Sequence, residues 1–140
     1  MPASDSLGII EGLTSIRSSF GPKETMDRLE AEIRAREMKV FARIDHAAGA
    51  AEVRLTLRPT ELIIFGNARG GTPFMQSVQT VGIDLPLRVL VWEDAAGKAW
   101  ISYNEPSWIA RRHGARNAEQ VVSKMGAALS AIARKAANSN

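Results

Sequence analysis

"LRVLVWEDAAGKAWISYN", Leu87 to Asn104, decides the fold. Leu87 to Trp92 and Ala99 to Tyr103 are apolar, β-favouring runs, and EDAAGK between them contains Gly97, which can take the positive φ that closes a hairpin of this length. The sequence therefore contains an antiparallel pair of strands, around which the other segments must be placed. Trp92, Trp100, Tyr103 and Trp108 are concentrated here. Strand alternation divides Trp92 and Trp100 between faces according to register, so these aromatics serve the core or a dimer interface.

Upstream of the hairpin, Leu7 to Ser18 reads as a first strand, with Ile10, Gly12, Thr14 and Ile16 on one face. Gly21, Pro22 and Glu24 fit the N-cap, N1 and N3 positions of a helix, in which Met26, Leu29 and Ile33 recur at helical spacing. Val40, Ala42 and Ile44 alternate with Lys39, Phe41 and Arg43 as a half-buried strand requires. A short helix is expected from about Ala47 to Val53, followed by a turn at Pro59-Thr60. Leu62 to Phe65 is a continuous apolar run, expected as a central strand covered on both faces. Thr72-Pro73 then reads as the cap and first residue of a helix carrying Phe74, Val78 and Val81.

Downstream, Asn104 or Glu105 caps a short helix with Pro106, Trp108 and Ile109, which stops at Gly114. A last helix starts near Asn117 with its stripe at Val121, Met125, Ala128, Leu129 and Ile132. Its end, KAANSN, is small and polar and is expected to fray. The pattern is an α+β domain: an antiparallel sheet of about five strands with helices packed against it.

The 140 residues fit one domain, 1–140, and the 45% apolar and 24% charged content is that of a globular chain rather than a disordered one. With no cysteine, disulfides, thiolate metal sites and cysteine nucleophiles are excluded. Only two histidines are present, His46 and His113, so a closed zinc site would need both plus scattered carboxylates. The N-terminus has neither a basic segment nor an apolar one of the kind that directs export, and no apolar run approaches a membrane span of roughly 20 residues. The expectation is a cytoplasmic protein without a membrane partner. The net charge of +3 is uneven: residues 1–104 carry 12 basic and 13 acidic side chains, residues 105–140 carry 6 and 2. No run of Lys or Arg and no aromatic platform accompanies that surplus, so a solvated face is expected and no nucleic-acid partner.

"RIDHAAGA", "LRPTELIIFGNARGGTPFMQ" and "DLPLRVLVWEDAAGKAWISYNEPSWIARRHG" together resemble the bacterial DUF302 family, a domain of unknown function. Its pattern runs through Ile-Asp-His, Arg-Pro-Thr, Phe-Gly-Asn-Pro, Gly-Thr-Pro, Met-Gln and Asp-Leu-Pro-Leu. The resemblance extends from about Ile9 to Gly114, which implies a family-like core over 7–114 with residues 115–140 as a C-terminal helix. It also implies an α+β fold and a homodimer, but brings no reaction. Ala68 departs from the pattern, which usually has proline there, and this loosens the loop.

The loop itself, Gly66 to Gln76, has P-loop glycine spacing at Gly66 and Gly71, but Thr72 stands where the phosphate-binding lysine belongs. The dinucleotide fingerprint is absent too. Free N–H groups at the Thr72 helix, glycines allowing close approach and Arg69 nearby could hold a small anion or carboxylate; otherwise the loop is a tight strand-to-helix connection. The second candidate is His46 beside Asp45, able to orient a ligand, transfer a proton or ligate iron, or simply to cap the chain. Haem needs one axial ligand, which His46 with Met75 would supply if the fold brings them together. Asp45 with Glu61 or Asp84 could form an acid–base pair.

Two functions follow. The first is a non-catalytic homodimeric module whose small-ligand pocket lies between the His46 turn and the glycine loop, lined by Asp45, His46, Asn67, Arg69, Gly71, Thr72, Met75 and Gln76. The second is an enzyme using Asp45 or His46 as general acid or base on a small anionic substrate.

Overall fold

The computed structural model describes residues 9–138; the beginning of the expected first strand at Leu7, and the last two residues of KAANSN, lie outside them. Five strands form one antiparallel sheet in the order β1-β5-β4-β3-β2: β1 (Leu13–Arg17), β2 (Lys39–Asp45), β3 (Thr60–Gly66), β4 (Leu87–Glu93) and β5 (Ala99–Asn104). The helices are α1 (Pro22–Ala35), α2 (His46–Glu52), α3 (Ala68–Ser77), α4 (Pro106–His113) and α5 (Glu119–Ala137), with a 3-10 turn at Gln79–Asp84. The fold class is α+β, as the hairpin and its surroundings require.

The β4–β5 hairpin closes with Gly97 at φ 82°. Asp94 holds the turn: its carboxylate accepts from the Ala96 and Lys98 N–H groups and from Trp100 Nε1, at 2.9, 2.9 and 2.8 Å. These bonds, the one from Trp100 foremost, favour the ionised form and hold the Asp94 carboxyl below its ordinary value. Trp92 pairs directly with Trp100 across the strands, so the two rings share a face and stack with centroids 6.1 Å apart instead of dividing between faces.

One sheet face carries the core. Directly paired residues Ile63, Val89, Tyr103 and Thr14, and likewise Glu61, Val91, Ile101 and Ile16, point to the same side. Against that side pack Met26, Leu29 and Ile33 of α1 and Leu129 and Ile132 of α5, all completely or nearly completely buried. Burying a side chain of this size stabilises by about 1.5–3 kcal/mol, so these two helical stripes hold the layers together. The opposite face is much less covered. Leu62, Ile64, Leu90, Trp92 and Trp100 are only half-buried there and Ile44 is exposed. β3 is therefore covered on one face rather than both, and it lies next to the edge strand β2, with β4 at the centre of the sheet.

β2 departs from simple alternation. Val40 pairs with Phe65 and Ala42 with Ile64, leaving Phe41 as an extra, exposed residue, and the shift turns Arg43 onto the α1 side. Arg43 there donates two bonds to Glu61, both 2.9 Å, and further bonds to Glu30 at 2.9 Å and Asp27 at 3.2 Å. The C-terminal end of α5, expected to fray, is fastened as far as Asn138. Ala136 and Ala137 are fully buried, and Arg28 donates to the carbonyls of Lys135, Ala136 and Asn138 at 2.7–3.0 Å. Small side chains allow this close packing, and the arginine satisfies carbonyls that a helix end leaves free.

Candidate functional site

β3 ends at Gly66, and Asn67 starts the next element. Asn67 Oδ1 accepts from the Gly70 N–H at 2.6 Å and caps α3, five residues before the expected cap at Thr72. Thr72 and Pro73 lie inside the helix; Pro73 merely forgoes the bond that its N–H would have made to the Arg69 carbonyl. Gly70 and Gly71 are helical and their lack of side chains leaves the start of α3 bare. A Cβ added to Gly71 would meet Leu85 Cδ1 and Met75 Cε at 3.8 Å, ordinary contact distance.

Beside this bare helical turn lies a cavity of about 460 Å³, within the roughly 300–1,000 Å³ of small-molecule sites. The helix start contributes Asn67, Gly70, Gly71, Thr72 and Met75; the start of β2 contributes Met38 and Phe41; Leu85 to Leu87 and, from α5, Met125 and Ala128 complete the wall. Arg36 and Lys124 line it as well, both exposed and neither within 4.0 Å of a carboxylate among the described residues. The lining contains no Asp or Glu. Two unpaired cations and a helix N-terminus make the site electropositive, while three methionines make its wall apolar and adaptable.

The structure brings four of the expected site residues together here: Asn67, Gly71, Thr72 and Met75. Arg69 and Gln76 are on the same helix but are exposed and outside the lining. Asp45 and His46 are elsewhere. In the β2–β3 pair Lys39 is opposite Gly66 and Asp45 opposite Glu61, so the length of β2 separates the His46 turn from the glycine loop, about 20 Å at strand rise. Neither of the two cavities described among these residues is lined by both segments, and the strand between them leaves a shared haem iron for His46 and Met75 without support. Asp45 caps α2, its Oδ1 accepting from the Ala48 N–H at 2.9 Å, and borders a second hollow of about 430 Å³. Glu61, its cross-strand neighbour, is engaged by both arms of Arg43.

The other histidine is better connected. His113, at the end of α4, places Nε2 2.6 Å from Asp84 Oδ2 and Nδ1 2.9 Å from Thr80 Oγ1, while Arg112 donates to both oxygens of Asp84. The order hydroxyl, imidazole, carboxylate has the form of a proton relay, but neither cavity is lined by any of the three groups. The cluster fastens the 3-10 turn to α4. Among the described residues no group of three or more His, Cys, Asp or Glu side chains could hold a metal ion, and no helix is long and apolar enough to cross a membrane.

Sequence reasoning missed Arg36, Met38, Phe41, Leu85, Lys124 and Met125 as lining residues. One signal was available for the first three: in an antiparallel β2–β3 pair the end of β3 must lie beside the start of β2.

The fold closely matches that of an uncharacterised conserved DUF302 protein from Bacillus stearothermophilus, with a TM-score of 0.82 at 17% identity over 91% of this chain and 99% of the other. Among curated proteins, the chain is 50% identical over 105 residues to "Fluoride-specific ion channel FluC 1" of Brucella suis. It is equally similar to "Fluoride-specific ion channel FluC 2" of Brucella melitensis. The match takes in 75% of this chain and only 41% and 39% of those proteins, so the chain spans about two-fifths of the relatives' length. Residues 14–132, from β1 well into α5, match the domain of unknown function DUF302, and the chain belongs to that family.

Proposed function

We propose that the chain is a non-catalytic homodimeric module that binds a small ligand at the start of α3. The cavity supports this most strongly: about 460 Å³, apolar-walled, with Arg36 and Lys124 in its lining and neither held by a carboxylate among the described residues. The site is moved from the position expected between the His46 turn and the glycine loop to the Arg36, Asn67, Gly71 and Lys124 end of the sheet. The dimer reading is supported by the half-covered sheet face, where Ile44, Leu62, Ile64, Leu90 and the Trp92–Trp100 stack form an apolar surface suited to a second copy.

Native mass spectrometry of gently purified protein tests both parts, by the subunit count and by any retained small molecule. A mass of two chains is expected, and a monomer at micromolar concentration defeats the dimer. For the ligand, Gly71→Leu is the decisive variant, because its side chain grows into the cavity from a position whose Cβ is tolerated. Retained or added ligand should be lost at least tenfold while the melting temperature of the free protein stays close to wild type. Unchanged affinity in Gly71→Leu would place binding elsewhere.

The fluoride-channel name of the relatives suggests a second role for such a module. Their matched segment shares half its residues with a chain that has no membrane-spanning helix among its described residues, which supports a pore formed by the other three-fifths. In that reading the matched part senses a ligand on behalf of a channel rather than conducting an ion.

A further inference from the structure

We infer that the cavity at the start of α3 takes a carboxylate with an apolar tail, a medium-chain or aryl acid, its head at Arg36 and Lys124 and its tail among Met38, Met75, Leu85 and Met125. This rests on the ligand-binding reading above and names the ligand's chemistry. Three observations carry it. The lining has two cations and no anion, and neither cation has a carboxylate partner of its own among the described residues, so a negative group is the missing complement. The charge is at the mouth, on exposed side chains, while the thioether and leucine groups behind it are buried or half-buried. A ligand satisfying both must be amphiphilic. Finally, the lining has donors in Arg36, Lys124, Asn67 and Thr72 but few side-chain acceptors, Asn67 Oδ1 being taken by the Gly70 N–H, which suits a head group that only accepts rather than a sugar or nucleotide whose hydroxyls must also donate.

Fluoride and other small hydrated anions are excluded by the same reasoning, since an apolar wall returns nothing for lost water and two solvent-exposed cations return little. The unbranched, polarisable methionine side chains allow tails of different shape. The site should therefore select for the head group and for tail length more than for tail detail.

The test is a calorimetric titration, below micellar concentration, of wild type, Gly71→Leu and Arg36→Gln/Lys124→Gln with hexanoate, octanoate, octan-1-ol, acetate and fluoride. Wild type should bind octanoate saturably and more tightly than hexanoate, by about fourfold per methylene. Octanol should bind at least tenfold more weakly than octanoate, and acetate and fluoride should show no saturable binding. In the double variant octanoate should fall to the octanol level. In Gly71→Leu both should be lost. Equal affinity of wild type for octanoate and octanol, with both lost in Gly71→Leu, would remove the carboxylate and leave the cavity as the binding site. Failure of wild type to bind either would overturn this inference, and a retained molecule that Gly71→Leu still displaces would then show that the cavity reading survives it.

Discussion

Gly12→Ala should cost a large part of the stability of the domain, about 3–5 kcal/mol of the 5–15 typical of a chain this size. Gly12 sits at φ 79° in the turn before β1, where the Leu13 N–H bonds back to the Ile10 carbonyl at 3.0 Å. An L side chain in that region is strained by about 1–2 kcal/mol by itself. The larger part comes from space: the new Cβ would lie 2.2 Å from Trp108 Cγ and 2.4 Å from Cδ2, so the indole must leave its place against the core. It cannot move freely, because the Gly12 carbonyl also accepts from the Glu105 N–H at 2.7 Å and so fixes β1 to the start of α4. Urea unfolding measures the effect. Trp108→Ala should rescue part of it, leaving the backbone strain and the loss of the indole. A wild-type midpoint in Gly12→Ala would show that this turn is looser than the packing indicates.

Arg43→Ala should cost about 2–3 kcal/mol, less than the 3–5 of a fully buried pair because roughly a quarter of the side chain meets solvent. Its guanidinium is shared among Glu61, Glu30 and Asp27, which converge on it from β3 and α1. Without it three carboxylates face one another; Asp27 keeps Lys23 and Glu30 keeps Arg34, but Glu61 loses both its bonds to the guanidinium. Arg43→Met retains much of the stem and separates the lost packing from the lost charge.

The pH dependence has a definite sign. The Asp27 carboxyl is held below its ordinary value by hydrogen bonds from Lys23 and then Arg43, and Glu30 by those from Arg43 and then Arg34. Both therefore bind fewer protons folded than unfolded. Their contribution is complete above the ordinary values of 3.8 and 4.5 and is lost as the pH falls through the depressed ones. In Arg43→Ala the acid loss of stability should become shallower, chiefly by the Glu30 share, since Lys23 still holds Asp27. An unchanged slope between pH 5 and about 2 would mean that Arg43 does not set these carboxyls.

Much of the architecture was legible because it depends on local chemistry. Gly21-Pro22 marks a helix start wherever it stands, and Met26, Leu29 and Ile33 name the buried stripe by spacing alone. The hairpin was readable for the same reason. Errors arose where two signals competed for one role. Asn67 and Thr72 are both good caps, and the earlier one captured the helix because nothing between them stops it: Gly70 and Gly71 tolerate helical φ as well as any other. Asn104 and Glu105 competed similarly; Asn104 stayed in β5 opposite Leu13, so Glu105 became the cap position, with its side chain accepting instead from the Thr14 hydroxyl.

The candidate site was half-readable. The glycine loop lines a cavity, but the His46 turn, expected to share it, is not in its lining. An antiparallel return strand is the reason: the residues closest to the turn are neighbours, and those at the far ends are too, so His46 and Gly66 are separated by a full strand. The rim cations come from just past the end of α1 and from the second turn of α5, and no local pattern announces that two helices so far apart in sequence will converge there.

The irregular pairing at Phe41 bears on how copies of this protein can meet. β2 and β1 are the two outermost strands, and both discourage a further strand from joining them: β2 is kinked and carries Lys39, Arg43 and Asp45, and β1 has only five residues. Lateral growth into a ribbon is blocked at both margins, whereas the flat side with the stacked indoles has no such guard. Growth of a continuous ribbon or fibre through the sheet margins is thereby disfavoured.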